Sequence, residues 1–206
     1  MTSKRPKRQV RPRNLKFAIA APKDAPAVAA PLNEAAEHLT NLYGRGHWSG
    51  QTSKRGVLPS ITPPVSGVRR QVTSRVLIAF APGRRRHILG TLRLATKKPW
   101  AIDVSHFTEV KRALYLTGMA VRPGAQRQGI GRRMLEEAAR MARTWPSDAR
   151  SHSPQAIRLD AFDTNRAHDA EGSGAGAGGF YAKCGYREVG RVSYRGTPLI
   201  YYEQLL

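Results

Sequence analysis

LYLTGMAVRPGAQRQGIGRR, residues 114–133, changes character halfway along. Its first part, Leu114–Val121, is apolar and rich in strand formers, and it predicts a β-strand. Arg122-Pro123-Gly124 stops that strand, because proline lacks the amide proton that a central ladder requires. The period then switches to that of a helix. Ile130, Met134, Leu135, Ala138 and Met141 recur at helical spacing, while Arg132, Arg133, Glu136, Glu137, Arg140 and Arg143 fill the other faces. Glu136 and Arg140 stand in the favourable i,i+4 order. Between strand and helix lies Gln126-x-x-Gly129-x-Gly131. A helix N-terminus presents unpaired amides and a partial positive charge, which suits a pyrophosphate. Gly129 and Gly131 take away side chains that would keep phosphate oxygens from those amides, and Arg127, Arg132 and Arg133 add cationic field. Taken alone, the six residues leave open a plain glycine turn with a solvated basic face.

Working outward, LKFAIAAP from residue 15 reads as a strand, and Asp24 is expected to N-cap a helix over Ala25–Leu42. Pro26 suits an early helical position, whereas Pro31 calls for the first turn or a kink. Tyr43–Val72, rich in Gly, Pro, Ser and Thr, reads as loop with some helix. Arg75–Pro82 and His87–Thr96 predict a hairpin whose turn holds Gly83 and three arginines. Lys97–Lys111 is a longer connection to the strand at Leu114. After Pro146 and a polar stretch to Gln155, Ala156–Asp163 predicts another strand and Gly179–Cys184 a short helix. Glu188–Tyr194 and Leu199–Leu205 form a C-terminal hairpin about the turn at residues 195–198. The order of elements gives a mixed sheet in an α/β (α+β) layer arrangement.

With 206 residues, 40% of them hydrophobic, the chain can bury the core of one domain, placed here at residues 14–206. Residues 1–13, MTSKRPKRQVRPR, carry six cations and no acid, so a disordered arm is expected. It is a candidate for touching nucleic acid or for a targeting role. The formal charge of +21 favours polyanionic company: nucleic acid, an anionic membrane surface, or the phosphates of a nucleotide cofactor. A basic arm and arginine-rich usage account for the same number. No apolar run reaches the roughly 20 residues that span a bilayer, so no membrane role and a cytoplasmic location are expected. Cys184 is the only cysteine, which excludes an internal disulfide, and no metal is expected.

The stretch from Tyr115 onward resembles the GNAT superfamily of N-acetyltransferases, whose signature Gln/Arg-x-x-Gly-x-Gly/Ala follows a strand ending in an Ala-Val-like pair and a proline. The resemblance extends over Asn14–Leu206 and is clearest up to Tyr186. It implies a mostly antiparallel central sheet flanked by helices and splayed at an acetyl-CoA site. It also implies that the backbone from Gln126 through Arg127, Gln128, Gly129, Ile130, Gly131 and Arg132 binds the pyrophosphate. By the same resemblance, Met119, Ala120 and Val121 offer backbone groups to the pantetheine. A second match, Phe180-Tyr181-Ala182-Lys183-Cys184-Gly185-Tyr186, is similar to the family's Phe-Tyr-x-x-x-Gly-Phe segment, in which the tyrosine protonates the departing thiolate. Phenol is a reasonable donor, since its ordinary pKa of about 10 lies near that of a thiol. A core tyrosine is the alternative for Tyr181. The implied activity is transfer of an acetyl group from acetyl-CoA to an amine of a small molecule or peptide by direct attack. The competing class is a nucleic-acid-associated basic protein, or an acetyltransferase acting on charged tRNA or a nucleic-acid-bound protein. Oligomeric state is left open, a homodimer included.

The sequence departs from the family pattern twice. The family's Asn-x-x-Ala segment has no close counterpart, because Asn165 is separated from Tyr181 by a glycine-rich insertion. The acid that relatives often carry on the cofactor strand is also missing, with Thr117 and Gly118 in its region. A primary amine with pKa near 10 is only about 0.1% neutral at pH 7, so a route for its proton is needed. Asp103, His106, Glu109 and Asp160 are candidates. Gly174-x-Gly176-x-x-Gly179 matches a dinucleotide fingerprint in letters, but it begins well after a strand and precedes only a short helix. Cys184 has no partnered histidine in sequence and reads as packing. His47 and Trp48 either line an acceptor pocket or anchor a loop.

Overall fold

The computed structural model describes residues 14–62, 72–146, 152–163 and 177–206. The elements run β1 (Lys16–Ile19), α1 (Ala25–Tyr43), α2 (Lys54–Ile61), β2 (Ser74–Phe80), β3 (Ile88–Ala95), β4 (Ala113–Val121), α3 (Ile130–Arg143), β5 (Ala156–Phe162), α4 (Ala177–Lys183), β6 (Arg187–Tyr194) and β7 (Thr197–Leu205). They build one seven-stranded sheet in the order β1-β2-β3-β4-β5-β7-β6. Every neighbouring pair is antiparallel except β4 with β5. The expected hairpins, the switch from strand to helix after Pro123, and the mixed, mostly antiparallel sheet are all present. The basic arm 1–13, Asn165 and most of the glycine-rich run lie outside the described residues. Among the described residues, no helix is long and apolar enough to cross a membrane.

Alternation along the strands divides the side chains between two faces. On one, Leu92, Leu94, Leu114, Leu116, Ile157 and Tyr202 pack against Met134, Leu135, Ala138 and Ala142 of α3. On the other, Val76, Ile78 and Ile88 meet Ala25, Val28 and Ala29 of α1 and Val57 of α2. Farther along that second face, the β3–β4 connection lays Ile102 and Phe107 over Tyr115 and Tyr201.

The feature that shapes the site is the incomplete pairing of β4 with β5. Three rungs join them, Ala113 with Ala156, Leu114 with Ile157 and Tyr115 with Arg158. Beyond that, β4 stays paired to β3 as far as Val121, and β5 stays paired to β7 as far as Phe162. The strands therefore diverge into an opening rather than fraying. A bulge lies where they part. Thr117 faces Arg93 and Ala120 faces Thr91, so Gly118 and Met119 together oppose the single residue Leu92. Gly118 adopts φ +56°, a left-handed conformation that a side chain disfavours, and the extra residue bends β4 away from β5.

Several local expectations are corrected. Asp24 does not cap α1. Its own backbone is already helical (φ −84°, ψ −9°), and its carboxylate turns back to accept from the Ala21 amide at 2.9 Å and to pair with Arg85 at 2.9 Å. One of the three turn arginines thus ties the β2–β3 hairpin to the entry of α1. Pro31 is buried inside α1, past its first turn, and the helix continues to Tyr43. On α3, Arg140 pairs with Glu137 one turn back rather than with Glu136, which is exposed.

One charged pair is sunk in the sheet. Arg158 and Glu203 face each other on β5 and β7, 6% and 2% exposed, with Nε to Oε1 at 3.1 Å. The other carboxylate oxygen accepts from the Thr108 amide and from Arg187, each at 3.3 Å. Arg158 also donates to the Thr108 carbonyl and lies over the Phe107 ring, 5.0 Å from its centroid. The network pins the β3–β4 connection to the sheet. Glu203→Ala, which strands the buried guanidinium, is expected to cost about 3–5 kcal/mol in denaturant unfolding, whereas the paired replacement Arg158→Met with Glu203→Leu should recover most of that loss.

Candidate active site

The start of α3 stands at the mouth of the opening. A turn of 3-10 helix, Pro123–Ala125, carries the chain off β4 with Ala125 buried beneath it. Gly129, at φ +75°, is the N-cap, and Arg127 also has positive φ at 59°. The first bond of the helical ladder is donated by the Arg133 amide to the Gly129 carbonyl at 3.2 Å. The amides of Ile130, Gly131 and Arg132 come before that ladder and point out of the helix end. Gln126 donates its side-chain amide to the Val121 carbonyl at 3.2 Å, fixing the turn to the strand it leaves.

Gly131 has a second duty that its place in the motif does not reveal. A methyl group there would come within 2.9 Å of Phe180 Cζ and 3.4 Å of Met119 Cε. The bare Cα lets α4 approach α3. The three nearby cations divide. Arg127 is exposed, and Arg132 spans to α4, donating to the Lys183 carbonyl at 3.0 Å. Arg133 points elsewhere, with its guanidinium 5.4 Å from the centroid of Phe17 on β1. It sits one residue on from Arg132, about 100° around the helix, which corrects its expected place in the cationic field.

Phe180 and Tyr181 arrive on α4. Tyr181 is buried, ringed by Phe180, Tyr202 and Tyr186 with centroids at 5.3, 5.5 and 6.0 Å. Its hydroxyl donates to Met119 Sδ at 3.7 Å. Burial, reinforced by the charge of Asp160, pushes this phenol well above its ordinary value, so it holds its proton throughout the neutral range. Met119 was expected to matter through its backbone alone. Its side chain is a partner of the Tyr181 hydroxyl, and sequence offered no signal for that contact. Cys184 is half-buried against the same core, and burial raises its thiol.

The candidates for proton removal fall in different places. The Asp103 carboxylate accepts from the Ser105 amide at 3.0 Å and hydroxyl at 2.8 Å, which hold it below the usual carboxylate range. His106 lies edge-on to Tyr201 at 5.4 Å and over Gly190, where a Cβ would meet its Nδ1 at 2.5 Å. Glu109 is exposed on the β3–β4 connection. Asp160 is on β5, two residues past the last rung shared with β4. Trp48 packs at a tilt against Phe162, with ring centroids 4.5 Å apart, and meets Tyr43 edge-on at 6.3 Å, at the far end of β5. Two surface cavities are also present, the first bordered by Asp103. One, of about 430 Å³, is lined by Lys98, Trp100, Tyr194 and Tyr201, and the other, of about 380 Å³, lies between β1 and α3.

The arrangement thus comprises a splayed strand edge, open amides at a helix start, and a protonated phenol held against that strand. The acetyltransferase (GNAT) domain model matches residues 74–188, more than half the chain and all of these features. The chain belongs to the GNAT acetyltransferase family. It is accordingly an acyltransferase. No curated protein matches it in sequence. Among solved structures, this GNAT acetyltransferase is similar in fold to the PaiA N-acetyltransferase of Thermoplasma acidophilum in complex with coenzyme A, at 16% identity, covering 93% of this chain and 99% of that one, with TM-score 0.60. An aminoglycoside acetyltransferase, AAC(6')-Ib, bound to coenzyme A and kanamycin is similar at 15% identity, with 93% and 94% covered and TM-score 0.61. NAA60 of Arabidopsis thaliana, in complex with acetyl-CoA, follows at 12% identity, with 93% and 98% covered and TM-score 0.58.

The close approach at Gly131 gives a test of how this GNAT acetyltransferase is assembled. Gly131→Ala is expected to lose about 1–3 kcal/mol in thermal or denaturant unfolding by displacing Phe180. Adding Phe180→Leu should restore part of that stability, because the added methyl group meets the end of the aromatic ring.

Proposed function

We propose that this protein transfers an acetyl group from acetyl-CoA to an amine by direct attack, with no covalent enzyme intermediate. The observation that carries this reading is the position of Met119. Its methyl group packs beside Gly131 in the first turn of α3, and its sulfur holds the hydroxyl of Tyr181. Phosphate-facing amides and a proton donor are thereby brought to one residue of the splayed strand.

Acetyl-CoA, when bound, supplies an acyl group activated as a thioester. The residues present fit it. The amides of Ile130, Gly131 and Arg132, which come before the helical ladder, would meet a pyrophosphate at the helix start, with Arg127 and Arg132 supplying positive charge beside them. Past Tyr115 the edge of β4 is released from β5, so Met119, Ala120 and Val121 line an edge on which an extended pantetheine arm can lie as an added strand. The Val121 carbonyl is already shared with Gln126 and Ala120 pairs with Thr91 of β3, which leaves Met119 the freer backbone.

Tyr181 acts as the general acid in this reading. Its raised pKa keeps the proton in place at neutral pH. The same low-dielectric surroundings raise the pKa of a departing thiol, so the two remain matched. The weak thioether partner is easily exchanged for a stronger one. The acceptor is an amine, the class to which the kanamycin of the aminoglycoside acetyltransferase belongs.

Calorimetry with acetyl-CoA tests binding, and release of free thiol across a panel of amines tests transfer. Tyr181→Phe keeps the ring and removes the proton. It is expected to lower kcat by about 100-fold or more while leaving acetyl-CoA affinity nearly unchanged. Unchanged turnover would remove the acid role from Tyr181.

A further inference from the structure

The sequence of β4, ALYLTGMAV, contains no acid, so the strand that borders the opening on one side cannot take a proton through a carboxylate of its own. The opposite wall has one. The last rung joins Tyr115 to Arg158, and counting on by two residues along each parallel strand sets Thr117 across the opening from Asp160. Asp160 faces Tyr201 in the β5–β7 ladder, and Tyr201 packs under the β3–β4 connection with Phe107 and Tyr115. Residues opposite one another in an antiparallel ladder share a face, so Asp160 belongs to the face of the sheet away from α3 and α4. Tyr181 reaches the opening from the α3–α4 face. Acid and phenol thus flank one gap from its two sides.

We infer that Asp160 is the general base of the reaction, taking the proton from the attacking nitrogen on the face of the opening opposite Tyr181. This rests on the acetyl-transfer reading above and adds to it a residue that the family's usual pattern would place on β4. In the step, the alkylammonium first gives one proton to solvent through the Asp160 carboxylate; the neutral nitrogen then forms a bond to the acyl carbon, and its remaining N–H becomes acidic as it does so. Asp160 takes that proton, the carbon–sulfur bond breaks, and the phenol proton of Tyr181 passes to sulfur. Solvent then removes the proton from Asp160 and restores that of Tyr181, so the products are the amide and the free thiol.

Asp160 has contacts of its own, and the other acids nearby have theirs, farther from the point where β4 and β5 part. The Asp163 carboxylate pairs with Arg191 at 3.0 Å, and that of Asp103 caps Ser105. Glu34 of α1 pairs with Arg122 at 2.5 Å. Several of the described residues bear on the charge around Asp160. Tyr181 on α4 and Tyr201 on β7 both feel its carboxylate. Arg93 on β3 stands behind Thr117 and donates to Ser74 Oγ at 3.0 Å. Asp103 and His106 lie beyond Tyr201 on the connection. This is an acceptor side on which a carboxylate meets the incoming amine in a chain of net positive charge.

The test uses the full chain with two acceptors: the best primary alkyl amine of the panel, and methoxyamine, which is already neutral at pH 7 and gives up its proton to water unaided. Asp160→Asn is expected to bind acetyl-CoA as the wild type does in calorimetry. Its kcat toward the alkyl amine should fall about 100-fold or more, and toward methoxyamine by no more than about threefold. Asp160→Ala should regain alkyl-amine turnover when formate is added as an external base. Equal losses with both amines, turnover toward the alkyl amine that does not change, or absence of formate rescue would overturn the assignment while leaving the acetyl-transfer reading standing. A wild-type protein that transfers acetyl to no amine would overturn both.

Discussion

β4 and β5 share only three rungs, and the site depends on where that pairing stops. Two parallel strands would ordinarily satisfy each other's backbone groups along their whole length. Here the bulge at Gly118 adds one residue to β4, and the strand follows β3 away from β5. The result is a stretch of strand edge inside the sheet, flanked by packed layers rather than exposed at a rim. An unpaired edge in such a place is costly unless something pairs with it. In the proposed function that cost is what would favour an extended, amide-bearing ligand in the opening.

The surrounding structure keeps the gap at its width. On one face α3 and α4 are locked together at Gly131 and Phe180, and Arg132 ties the start of one helix to the end of the other. On the opposite face the β3–β4 connection is fastened by Arg158 and Glu203, directly below the point of divergence. Charges buried at such a position add little net stability, but they specify one arrangement of the connection over the sheet. Tyr181 and Asp160 then approach the gap from positions set by different elements. Neither side chain is placed by a loop alone, which suits chemistry that needs two groups at fixed separation.

Much of this was legible in the chain because the relevant signals are local. Pro123 ends β4, and the spacing of Ile130, Met134, Leu135 and Ala138 draws α3 with its buried face correctly assigned. Two glycines at the helix start mark the open amides. Where reading failed, a second element had intervened. Asp24 has the composition of a cap, but Arg85, sixty-one residues away, draws its carboxylate. Glu136 and Glu137 both lie within reach of Arg140, and the structure selects the nearer turn. Arg133 was grouped with Arg132 by proximity in sequence, although the helix turns it toward Phe17.

The sequence by itself determined the succession of elements and, through its resemblance to the GNAT superfamily, the family; the same resemblance proposes the segment from Met119 to Arg132 as the place where a nucleotide-bearing cofactor would be held. The elements follow from periodicity and from residues whose backbone preferences act within a few positions. Only the tertiary structure decided that Met119 would touch both Gly131 and Tyr181, that Gly131 is bare to admit Phe180, and that an acid missing from β4 stands across from it on β5. Those relations join residues from about a dozen to about sixty positions apart. They exist because the sheet sets β4 beside β5 while the two helices pack on one of its faces, an arrangement that no single stretch of the chain encodes.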